Sequence, residues 1–110
     1  MQGKIPALYC DRPYSLNNSN LRRKAQWKKR AIHLIRMQVD TSVHIASKVR
    51  VHMEFYKDGT IRDIDNMIKP TLDMLVAAGV LKDDGLVEEF SAKWVYEGLP
   101  VKIVIERIGK

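Results

Sequence analysis

Two carboxylates, Asp63 and Asp65, stand two positions apart in RDIDNMIK, residues 62–69; Asn66 follows at once and Lys69 closes the run. In an extended segment residues i and i+2 point to the same side, so both acids can face one point just ahead of a helix. Lys69, at i+4 from Asp65, can share that face once the helix has begun. Two further acids, Asp83 and Asp84, follow an apolar segment. Converging carboxylates repel one another unless a cation lies between them. Hard oxygen donors suit Mg2+ or Mn2+, with waters and substrate phosphate completing the shell. Such a centre activates water for attack on a phosphodiester, and a lysine beside it stabilises the charge that develops.

Simpler roles exist for each residue. Asp65 or Asn66 can cap a helix. Asp63 can pair with Arg62, and Lys69 with Asp73 at i+4. Asp83 and Asp84 can be turn acids before Gly85. Spacing alone leaves Asp84 unplaced. A calcium loop does not fit DGTIRDID: aligned on Gly59, a ligand position falls on Tyr56 and the incoming segment is a strand.

These acids sit in a basic chain. Its 110 residues, 45% hydrophobic and 29% charged, suit a single globular domain, and the formal net charge of +6 favours an anionic partner, nucleic acid above all. A lone cysteine, Cys10, excludes an internal disulfide and a cysteine-only zinc site. The longest apolar run, 74–81, is too short to span a bilayer, and the N-terminus lacks the apolar core of a signal peptide. A cytoplasmic protein is expected.

The elements that must position the acids are read from periodicity. Residues 5–9 predict a short strand, which Pro6 confines to an edge or an irregular segment. A Pro/Ser/Asn-rich loop follows over 11–20, with Asn18, Ser19 or Asn20 available as an N-cap. From 21 to about 39 the period is helical, with Trp27, Ala31, Leu34, Ile35 and Gln38 on one face. The rest of that helix is basic, and Arg22, Arg23, Lys24, Lys28, Lys29 and Arg30 are the expected phosphate contacts. Trp27 and Trp94 read as core residues, and His33, His44 and His52 lack metal-ligand spacing. Residues 48–56 alternate as a half-buried strand and 57–60 form a turn. A second helix over 65–78 presents Ile68, Leu72, Leu75 and Val76, has Pro70 in an awkward place, and ends at Gly79. Strands at 87–96 and 101–108 flank the turn 97–100. The order β-α-β-α-β-β predicts one α+β domain with a mixed sheet and two helices.

Taken together, DIDNMIKPTLDMLVAAGVLKDDGLV resembles the signature of the RusA family of Holliday-junction resolvases: Asp63, Asp65, Asn66, Lys69, Asp73, Leu75, Asp83, Asp84 and Val87, in that order. The segment 13–18, PYSLNN, is similar to the one that precedes the family's first helix. The resemblance implies a RusA-like endonuclease domain over residues 1–110. It implies a homodimer that binds four-way DNA and makes paired nicks with Mg2+, in DNA recombination and repair. Catalytic and metal-holding acids then map onto Asp63, Asp65 and Asp84, and the essential lysine onto Lys69. Mn2+ is expected to substitute. A broader nuclease for flaps and branched DNA, of phage or prophage type, is the alternative within the same chemistry. A non-catalytic basic DNA-binding protein is the alternative outside it.

Overall fold

Successive side chains of a strand point to opposite faces. In β2 (Val49–Tyr56) the set Val49, Val51, Met53 and Phe55 is buried while Arg50, His52, Glu54 and Tyr56 are half exposed. The computed structural model describes residues 5–11, 21–40, 42–57 and 64–108, with backbone alone at 21–24 and 66. Four strands form one mixed sheet in the order β1-β4-β2-β3. β1 (Leu8–Cys10) runs antiparallel to β4 (Val101–Arg107), β4 antiparallel to β2, and β2 parallel to β3 (Val87–Val95). A parallel pair needs a crossover, and α2 (Asp65–Ala77) supplies it. With α1 (Leu21–Gln38) between β1 and β2, the chain has the expected α+β order.

Trp27, Ala31 and Ile35 of α1 and Met67, Met74 and Leu75 of α2 share one core with Leu8, Val51, Met53, Phe55, Ile103 and Ile105 of the sheet. Both helices therefore cover the same sheet face, and the polar residues of β2 lie on the other. α1 is held to the edge strand by an amide side chain. Gln38 accepts from the Tyr9 N–H at 2.8 Å and donates to the Tyr9 carbonyl at 2.7 Å. An apparently misplaced polar residue on the apolar face thus acts as one more rung beside β1.

Two expectations are corrected. β1 starts at Leu8, beyond Pro6, because a residue without an N–H and with fixed φ is excluded from the ladder. In α2 the deepest residues are Met67, Thr71, Met74 and Leu75, with Ala78 buried just past its end, while Ile68, Leu72 and Val76 are half-buried. The helix is rotated from its expected face because Thr71 is satisfied inside it: its hydroxyl donates to the Met67 carbonyl at 2.8 Å. Pro70 lies within α2, which continues past it.

The end of α2 is tightly specified. Gly79 has φ of 80°; its N–H donates to the Val76 carbonyl at 3.0 Å, and the Val80 N–H to the Leu75 carbonyl at 3.2 Å. This pattern closes a helix with a left-handed residue, which glycine adopts without strain. Arg36 donates to the Ala78 carbonyl at 2.5 Å, and the His44 ring meets the Gly79 carbonyl at 2.8 Å. Ile45 then accepts the chain, through Ile45 N–H to the Val80 carbonyl at 2.8 Å and Lys82 N–H to the Ile45 carbonyl at 2.9 Å. The residue before Asp83 is thereby tied to the fold.

Candidate metal centre and nucleic-acid interface

Asp65 is the first residue of α2 and is exposed. The N-cap position belongs to Ile64, and no side chain caps the helix. Asp65 as N-cap is thus corrected: it lies one residue inside, where the positive end of the helix favours a carboxylate. Asp63 and the side chain of Asn66 lie outside the described residues. Lys69 is exposed one turn along, with Nζ 3.8 Å from Asp73 Oδ1. A pair that long between solvated groups is weak, so the ammonium can leave it for a phosphate.

Asp84 opens a short 3-10 turn, Asp84–Leu86, and is exposed. Asp83 is exposed too, but its carboxylate folds over Gly85: a Cβ there would lie 3.2 Å from Asp83 Oδ2. The thirteen residues of α2 rise to a length of about 20 Å. Asp84 follows the C-terminal end of α2 and precedes Val87, which stands opposite Val49 at the start of β2, so within one copy Asp84 and Asp65 lie towards opposite ends of the helix. Among the described residues no three His, Cys, Asp or Glu are grouped so as to hold a metal ion. Asp65 and Asp84 offer hard, solvent-facing oxygen donors, which fit Mg2+ or Mn2+ rather than a soft metal.

Of the basic residues on α1, Lys28 and Lys29 are exposed and flank a shallow groove floored by Ala25 and Ile32. Arg30 is already engaged, with Nε 2.6 Å from Asp11 Oδ2. The side chains of Arg22, Arg23 and Lys24 lie outside the described residues. The open sheet face differs, because many of its charges are paired. Arg50 meets Glu89 at 3.1 Å and Glu106 at 4.0 Å, His52 meets Glu106 at 3.4 Å, and Lys93 meets Glu54 at 3.8 Å. Among the described residues, Lys28 and Lys29 of α1 have no ion-pair partner, whereas much of the charge on the open sheet face is paired.

Neither tryptophan is a free stacking platform. Trp27 is 6% exposed and donates from Nε1 to the Asp11 carbonyl at 2.9 Å. Trp94 is half-buried, edge-on to Phe55 at 6.2 Å, with Lys57 Nζ 4.9 Å from its ring centre. Asp11, Arg36 and His44 escaped the reading of the sequence. Their partners are 19, 42 and 35 residues away, and no local spacing announces them. Among the described residues no helix is long and apolar enough to cross a membrane.

The fold and these groups define a class: a small α+β domain with exposed oxygen donors on and after one helix and a basic surface on the other. The family model of endodeoxyribonuclease RusA matches residues 19–106, which include Asp63, Asp65, Lys69 and Asp84. The chain belongs to that family. It is therefore an endodeoxyribonuclease of the kind that resolves Holliday junctions. A search of curated proteins found no match.

Proposed function

We propose that this chain is a Mg2+-dependent, structure-selective endonuclease that resolves four-way DNA junctions by paired nicks, serving recombination and repair. It acts in the cytoplasm as a homodimer, with residues 1–110 as one endonuclease domain. The observation that carries this reading is the ordered set Asp63, Asp65, Asn66, Lys69 and Asp84 inside the matched segment, with Asp65 and Asp84 solvent-facing.

Asp63, Asp65 and Asp84 would hold Mg2+, or Mn2+ in its place. The bound ion would supply an acidified water and neutralise charge on the scissile phosphate. Lys69, loosely paired with Asp73 at 3.8 Å, turns its ammonium to the phosphate and stabilises the charge that grows there. Asn66 orients a neighbouring acid. Lys28 and Lys29, with Arg22, Arg23 and Lys24, grip backbone phosphates and give affinity without sequence information. Arg30 contributes less, because Asp11 already neutralises it.

The test is a panel of labelled four-way junction, flap and linear duplex, each with Mg2+ or with chelator. Cutting of the junction with Mg2+ alone is expected. No cutting of any substrate by folded, DNA-binding protein overturns the nuclease mechanism. Equal cutting of linear duplex overturns the junction selectivity, and equal cutting of flap makes the enzyme a general branched-DNA nuclease.

A further inference from the structure

β3 is an edge strand, with β2 on one side and no strand among the described residues on the other. It is nine residues long and contains neither Pro nor Gly. Natural edges are commonly blunted by shortness, Pro, charged side chains or a bulge; β3 carries Lys93 and a bulge at Glu88, and from Glu89 to Val95 it runs without a break in register. Its apolar side is also incompletely covered: Phe90 is 36% exposed, and Ala92 and Trp94 are half-buried. The backbone can be oriented from one hydrogen bond. Lys57 N–H donates to the Val95 carbonyl at 2.9 Å, so Val95 faces the β2 side. By alternation Lys93, Ser91 and Glu89 face β2 as well, and the amides and carbonyls of Phe90, Ala92 and Trp94 face outward.

Two such edges related by a two-fold axis pair antiparallel. When Val87 of one copy stands opposite Val95 of the other, the regular stretch 89–93 pairs with its counterpart and the bulge at Glu88 lies outside it. In that register Ser91 lies on the axis opposite its own counterpart. Phe90 and Ala92, both outward-facing, stand opposite each other and exchange backbone hydrogen bonds, a large side chain against a small one. Glu89 stands opposite Lys93, acid against base, and both pairs occur twice. Arg50 already meets Glu89, and Glu54 already meets Lys93. The junction therefore lines up Arg50, Glu89, Lys93 and Glu54 in alternating sign across the two copies. A shift by one pair in either direction breaks the Glu89–Lys93 match.

We propose that the dimer forms by pairing of the β3 edges of two copies in this register, with Phe90 and Ala92 at its centre, so that one sheet runs through both. This rests on the homodimer reading above and adds where, and in which register, the copies meet.

Opposed residues of a non-hydrogen-bonded antiparallel pair have Cα atoms about 4.5 Å apart, within disulfide reach. A Ser91→Cys variant should therefore become a covalent dimer on mild oxidation, while Lys102→Cys, on β4 away from the edge, should not. The native Cys10 is buried and does not compete. Light scattering of the untreated protein should give about twice 12.7 kDa. Phe90→Lys should give the single-chain mass with unchanged circular dichroism, since Phe90 is already partly solvated. If Phe90→Lys fails to fold, the Ser91→Cys cross-link decides alone. A dimer in which Ser91→Cys stays uncross-linked overturns the β3 interface and leaves the homodimer standing. A monomeric wild-type protein overturns both.

Discussion

Asp84→Asn separates a chemical role from a structural one. Asp84 is exposed, and among the described residues its side chain makes no hydrogen bond or ion pair. Its removal therefore touches none of the mechanisms that produce large destabilisation, and the folding cost should stay within about 0.5 kcal/mol. For a domain of this size that moves Tm by roughly 2–4 °C at most. The chemical cost should be larger. Loss of a residue that merely orients a metal ligand costs about 10–100-fold, so loss of a ligand sets a floor near 100-fold, about 2.7 kcal/mol in the barrier. Single-turnover cleavage of a labelled four-way junction with saturating Mg2+ reads the second number, and thermal unfolding reads the first. Junction binding without metal should persist or tighten, because a negative charge leaves a DNA-facing surface. Cleavage within threefold of wild type would refute the assignment of Asp84. If Asp83→Asn is inactive and Asp84→Asn is not, the ligand is Asp83.

Other consequences test the surrounding structure. Replacing Lys28 and Lys29 together by Ala should flatten the slope of log K against log salt by about 1.8, at roughly 0.9 per phosphate contact. Arg30→Ala should change it less, because Asp11 holds Arg30 at 2.6 Å. Gly79→Ala should cost about 1–2 kcal/mol in chemical denaturation, because φ of 80° is left-handed and a Cβ would meet Arg36 Nη1 at 3.3 Å. Burial, with the Asp11 carboxylate adding to it, pushes the Cys10 thiol up to about 12. The folded state thus keeps the thiol protonated while the unfolded chain ionises near pH 9, so the contribution is full below pH 9 and is lost as pH rises through about 12. It amounts to roughly 4 kcal/mol at 1.36 kcal/mol per pH unit. Wild-type stability should fall more steeply than that of Cys10→Ala over this range.

What was legible in the sequence was whatever depended on near neighbours. Val49, Val51, Met53 and Phe55 alternate because a two-residue period is local, and all four are buried. Trp27, Ala31 and Ile35 mark the buried face of α1 for the same reason. Gly79 announces a helix end because few other residues accept a positive φ. What could not be read was set by groups far apart in the chain. Thr71 looks polar and is fully buried, since its hydroxyl is spent on the preceding turn. Arg36 looks like one more cation of a DNA-binding helix, yet it closes α2 by bonding the Ala78 carbonyl. Arg30 looks free and is held by Asp11. The acids divide in the same way. Asp63 and Asp65 are paired by local spacing, whereas the place of Asp84 depends on how the chain leaves α2 through Ile45 and Lys82.

Paired nicking of a four-way junction, as proposed above, has a direct readout. The most direct measurement maps nicks on all four strands of a labelled junction after a single turnover, with Mg2+ and with chelator. Two nicks are expected, in opposing strands, at positions related by the two-fold symmetry of the junction, and none with chelator. Cleavage that is indifferent to chelator, or nicks scattered without that symmetry, would contradict the proposal.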